Sequence, residues 1–100
     1  MNDRPARPAA TASIQIDAPH VRVTEYRFPP GTATGFHTHE FDYVVVPIVP
    51  GFLTMEEADG TRTQAELVFG QSYARPKGVT HDVINETTAE VAFVEIELKR

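Results

Sequence analysis

Apolar residues along this chain fall in short alternating or continuous runs separated by turn residues, and nowhere at the spacing that would line one face of a helix. The runs predict strands over 14–17, 21–28, 41–48, 51–57, 64–69, 71–75, 81–85 and 90–98. The breakers Pro29-Pro30-Gly31, Pro47 with Pro50-Gly51, Asp59-Gly60 and Pro76-Lys77-Gly78 lie between these runs or at their ends, which is how a meander or double-sheet sandwich is punctuated. Asp59-Gly60, set between Thr54-Met55-Glu56 and Thr61-Arg62-Thr63, is the strongest hairpin signal. Val21 and Val23, with Tyr26 or Phe28, are expected on one inward face, and Ile84, Val94, Ile96 and Leu98 on another. Apolar content spread over many strands is buried most economically by two packed sheets. The expected fold class is therefore all-β, an antiparallel meander or double-sheet sandwich.

One hundred residues suffice for one domain with a modest core, expected here over 14–100, after a loose Pro-, Arg- and Ala-rich arm over 1–13. No run is long and apolar enough for a membrane span, and the N-terminus does not read as a signal peptide, so the expected location is the cytoplasm. Cysteine is absent, which excludes disulfides, thiol nucleophiles and thiolate metal sites. The formal charge of −5, without a clustered Lys/Arg stripe, argues against nucleic-acid or anionic-membrane partners and for a small-molecule protein.

The candidate chemistry lies in three histidines. His37 and His39 sit two apart in Phe36-His37-Thr38-His39, so an extended backbone projects both to one side, and His81 is expected to join them from a neighbouring strand. Three neutral imidazoles suit one divalent transition metal, Fe, Zn, Mn, Ni or Cu, and leave positions for water or substrate. His20, after Pro19 and before a strand, is expected at the surface.

Two spaced motifs carry a resemblance to the cupin superfamily across nearly all of the chain beyond the arm. The first family motif runs Gly, five residues, His-x-His, three or four residues, Glu, six residues, Gly. It maps onto Gly31, His37, His39 and Gly51, with Tyr43 or Val44 where the family has its carboxylate. The second maps without a miss onto Gly70, Pro76, Gly78, His81 and Asn85. The run His39 to Pro47 also looks like that of very small bacterial single-domain cupins, among them beta-alanine degradation proteins.

The resemblance implies an all-β double-stranded β-helix, or jelly-roll barrel, and a three-histidine metal site lacking its usual glutamate. Asp42 is the nearest replacement carboxylate, although strand alternation turns it away from His39 unless a bulge intervenes, and Glu40 has the same parity problem. Phe41 and Tyr43 share the parity of the histidines and are pocket candidates, with Phe36 and Phe52 as further aromatics for core or cavity. Tyr73 and Arg75 alternate ahead of Pro76, and Arg75 is a candidate carboxylate clamp. Glu95 and Glu97 stand in the last predicted strand, and Glu95, flanked by Val94 and Ile96, is open between a cavity, a dimer partner and an outward polar face. By family analogy the expected function is a dioxygenase-like, metal-dependent enzyme acting on a small organic acid, with a non-catalytic metal or ligand-binding module as the alternative. A homodimer is expected, because so small a sheet domain must cover its edges and apolar faces.

Overall fold

The structure, a computed structural model, describes residues 7–100. Nine strands form in chain order: β1 (Thr11–Asp17), β2 (Val21–Phe28), β3 (His37–Thr38), β4 (Asp42–Val49), β5 (Gly51–Glu57), β6 (Arg62–Leu67), β7 (Tyr73–Arg75), β8 (Thr80–Ile84) and β9 (Val91–Leu98). They build a five-stranded sheet in the order β1-β2-β9-β4-β7 and a four-stranded sheet in the order β3-β8-β5-β6, with every strand pairing antiparallel. No helix among the described residues is long and apolar enough to cross a membrane.

Turn chemistry places the boundaries. β2 and β5 coincide with the predicted runs, and Asp59-Gly60 closes the β5–β6 hairpin, with Gly60 at φ +90° and its N–H donating to the Glu57 carbonyl. Pro47 is tolerated inside β4 because β7 pairs only with residues 43–45 and a bulge follows at Pro47 and Val49. Gly51 admits no side chain, since a Cβ there would lie 2.6 Å from Val91 Cγ2.

The expected arm is shorter than the sequence suggests. β1 starts at Thr11, and the Ala10 N–H donates to the Ala33 carbonyl while the Ala33 N–H donates to that of Pro8. Backbone pairing thus recruits residues that lack any apolar pattern, so Pro8 to Ser13 belong to the folded unit. The remainder of the expected arm, residues 1–6, lies outside the described residues.

The core between the sheets contains Phe28, Tyr43, Val45, Leu53, Leu67, Val83, Val91 and Phe93. The register corrects the expected inward faces. Thr24, Tyr26 and Phe28 of β2 face inward with Phe93 and Glu95 of β9, so Val21, Val23, Val94, Ile96 and Leu98 lie on the outer face of the five-stranded sheet. There Ile96 pairs with Val23 on one side and Val44 on the other, Val94 with Val46, and Leu98 with Val21, while Ile16 of β1 continues the row. An apolar outer face means that both sides of β9 favour apolar side chains, so alternation alone could not orient the strand.

Asn85, fully buried, accounts for its own motif position. Its side-chain amide donates to the carbonyls of Phe28 and Ala89, each at 2.8 Å, and its oxygen accepts from the Thr87 backbone at 2.9 Å and hydroxyl at 2.7 Å. Asn85→Ala leaves these groups buried without partners, and is expected to lower stability by about 2–4 kcal/mol. A urea midpoint unchanged from the parent protein would contradict this role.

Candidate metal centre

The histidines meet because two turns hold their strands together. His37 pairs with His81 across β3 and β8. The Pro76-Lys77-Gly78 corner then clasps the end of β3: the Gly78 N–H donates to the His39 carbonyl at 2.8 Å, and the His39 N–H donates to that of Val79 at 3.0 Å. Gly78 adopts φ +93°, where a side chain would be strained. The second motif therefore builds a backbone clamp for the first.

His37 Nε2 lies 3.0 Å from His39 Nε2, which lies 3.1 Å from His81 Nε2, and the three ligand atoms fall within 4.8 Å of one another. Two nitrogens each about 2.1 Å from a common ion are about 3.0 Å apart at a right angle and about 3.4 Å apart at the tetrahedral angle. The His37–His39 and His39–His81 spacings fit near-right-angle ligation of one ion, and three nitrogen ligands leave positions open on it.

The surroundings prepare the rings for that role. His37 Nδ1 is 2.9 Å from the Gly35 carbonyl, which can only accept, so the proton sits on Nδ1 and the Nε2 lone pair points to its neighbours. The Gly35 N–H donates to Asp82 Oδ1 at 3.0 Å and the Val83 N–H to Thr34 Oγ1 at 3.1 Å, fixing this loop to β8. His39 and His81 are buried, and burial, reinforced by the neighbouring imidazoles and by Arg75, pushes both pKa values down to about 4. Both rings are neutral at pH 7, as metal ligation requires.

Tyr43 occupies the place of the missing carboxylate. Its ring stacks on His39 at 3.9 Å and 16°, while Val44 lies on the outer face. Burial pushes its phenol up to about 12 despite the opposing pull of Arg75, and its hydroxyl makes no hydrogen bond of normal geometry. Asp42 does not replace the glutamate: it is exposed, its Oδ1 accepts the Lys77 N–H at 2.9 Å, and it stands outside the histidine group. Glu40 is exposed as well.

Three cavities border the histidines, one of them a groove of ≈ 210 Å³ between the N-terminal strand and His37, lined by Ala10, Ala12, Tyr26, Thr34 and His37. Of the other two, the outer one, of ≈ 190 Å³, is lined by Tyr43, Met55, Glu57, Thr63, Ala65, Tyr73, Arg75 and His81. The inner one, of ≈ 20 Å³, reaches from His37 and His81 past Tyr26, Tyr43 and Tyr73 to Glu95. Tyr43, Tyr73 and Arg75 are thus brought to the site, but Phe41 is not. The chain bends at Phe41 as it passes from one sheet to the other, and its side chain lines none of the three. Phe36 and Phe52 are exposed, in neither core nor cavity. Glu95, which alternation leaves open between cavity, partner and solvent, borders the inner cavity.

These shifts set the acid response of the chain without metal. Between pH 4.5 and 6.5 the unfolded chain protonates His39 and His81 while the folded chain keeps both neutral, so folding weakens on acidification. Glu95 acts in the opposite sense. Burial, with the charge of Glu97, raises it to about 7, so the folded chain holds a proton that the unfolded one has lost, and its contribution disappears as pH rises. The balance is one net proton, and unfolding free energy in chelator is expected to fall by about 1.4 kcal/mol per pH unit on acidification across that window. Urea titrations at stepped pH check the slope; a flat profile would contradict it.

A double-sheet jelly roll with three histidines clustered at one sheet, delivered by two Gly-bounded motifs, defines a protein class, and this chain belongs to the cupin superfamily. It is 52% identical over 93 residues to the beta-alanine degradation protein BauB of Pseudomonas aeruginosa, covering 93% of this chain and 97% of that protein. A crystal structure of a cupin domain from Bordetella pertussis Tohama I superposes with a TM-score of 0.90 at 49% identity, covering 97% of this chain and all of that one. A double-stranded β-helix protein from Klebsiella pneumoniae shares the fold at 18% identity, with a TM-score of 0.77 over 96% of this chain and 82% of that one. No protein-family model matches the chain.

Proposed function

We propose that this protein is a metal-dependent enzyme of the dioxygenase type acting on a small organic acid. The observation that carries the reading is the convergence of three imidazole Nε2 atoms, His39 Nε2 lying 3.0 Å from that of His37 and 3.1 Å from that of His81, beside a cavity lined by the Arg75 guanidinium. His37, His39 and His81 would hold one divalent ion, for which iron is the first choice among Fe, Mn, Ni, Cu and Zn, because three nitrogen ligands leave positions open for both substrate and oxygen. Such an ion would supply Lewis acidity and a place for oxygen beside the substrate. The chain's own residues orient the acid. Arg75, without a carboxylate partner among the described residues, offers a paired N–H fork to its carboxylate, and Tyr73, Tyr43 and Met55 wall the outer cavity. The name of the Pseudomonas relative, given for beta-alanine degradation, supports a short-chain acid as substrate.

We further propose that the chain works as a two-fold dimer joined through the apolar outer face of the five-stranded sheet. Metal analysis of protein purified without an affinity tag, followed by oxygen-uptake assays over a panel of short-chain acids, tests the function. Iron at one per chain and uptake with one acid are expected; stoichiometric zinc and no uptake would favour a binding module.

A further inference from the structure

Glu95 projects from the middle of β9 between Thr24 of β2 and Val45 of β4. It is 6% exposed, shares the inner cavity with His37 and His81, and forms no hydrogen bond or ion pair with any described residue. A buried acid without a partner is a net cost to folding, and the apolar residues on the same face, Val91 and Phe93, show what a purely structural choice would be. With ≈ 20 Å³, the inner cavity has room for about one water, which there would touch the carboxyl on one side and the space in front of the histidines on the other.

We propose that Glu95 is the proton acceptor of this site, receiving through that water the proton that an enolisable or hydroxyl-bearing acid gives up as it binds at the histidines. The inference rests on the metal-site reading above. In the transfer the ligand's C–H or O–H bond breaks and leaves its electron pair on the ligand. The water takes that proton and passes one of its own to a Glu95 oxygen, so the products are the ligand anion and a neutral carboxylic acid, and no oxidant or reductant is consumed. The groups facing Glu95 suit this exchange. Tyr26 and Tyr43, both raised to about 12, and Tyr73, raised as well, stay protonated phenols. On its own strand Glu97 is engaged by Arg22 at 3.5 Å, and Arg75 borders the outer cavity beyond Tyr73. Burial first, then Glu97, raises the Glu95 carboxyl to about 7, which suits an acceptor working near neutral pH.

The test uses the full chain loaded with cobalt and stopped-flow absorbance with two probes: acetylacetone, which must lose a proton to chelate, and oxalate, which arrives as an anion. Glu95→Gln is expected to slow acetylacetone binding by about a hundredfold or more, while cobalt content and oxalate binding stay unchanged. Should that variant fail to fold or load, Glu95→Asp, which keeps the acid but withdraws it by one methylene, must show the same selective slowing. Acetylacetone binding as fast in these variants as in the parent overturns the inference alone, as does a parent protein that responds to oxalate and not to acetylacetone. A parent protein that responds to neither probe overturns the metal-site reading and the inference with it.

Discussion

His81→Ala is expected to lower the affinity for divalent metal by more than about a hundredfold while the protein still unfolds cooperatively. Loss of a partner that merely orients a metal-bound histidine already costs 10- to 100-fold in affinity, so loss of one of three ligands costs at least that. The fold survives for a reason visible in the site. The β3–β8 clamp runs through backbone groups of His39, Gly78 and Val79, none of which needs the His81 ring. Alanine also removes an imidazole held uncharged by burial, so the chain in chelator should resist acid better than its parent between pH 4 and 6.5. Isothermal titration with cobalt and urea melts at two pH values measure the two effects in opposite directions. A variant that keeps full metal affinity would sink the site, and one that unfolds with its metal still bound would show that His81 is structural.

The sequence and the structure agree wherever chemistry is fixed by backbone geometry. Gly78 with Pro76 announces a corner, Asp59-Gly60 a hairpin, and the two-residue offset of His37 and His39 a shared face, because each constrains φ or side-chain direction locally. β3 is different. At two residues it has no periodicity to detect, and only its pairing with β8 makes it a strand. The misassigned faces of β2 and β9 have another cause. Val21, Val23, Val94, Ile96 and Leu98 read as core because alternation reports which residues are apolar and not which sheet face has a second layer behind it. Phe93 held the missing clue: once it is placed inward beside Tyr26 and Phe28, parity takes Glu95 inward too. Tyr43 in the glutamate position was legible as a substitution, but its stacking on His39 depends on the bend at Phe41, which no local pattern announces.

The apolar outer face leads to the second large effect. Ile96 sits at its centre, between Val23 and Val44, with Val94 and Val46 one step along and Ile16 of the edge strand beyond, the last 51% exposed. Contiguous apolar surface of this kind is uncommon on a monomer, and a twisted sheet face is self-complementary across a two-fold axis. Arg27 lies at the margin of the patch, engaged by Glu25 at 2.7 Å and Glu90 at 3.1 Å, so the charges there are paired within the chain. The parent protein is expected to scatter light at twice the chain mass of 11.1 kDa at micromolar concentration. Ile96→Glu places an unpaired carboxylate from each copy at the centre of the interface, which costs at least about 4 kcal/mol in all and weakens association by roughly a thousandfold or more. In the monomer the same glutamate points to water, so its fold and its three histidines are untouched, and metal binding should persist in a particle of half the mass. A parent protein that runs at the mass of one chain, or an Ile96→Glu variant that still dimerises, would remove this face as the interface.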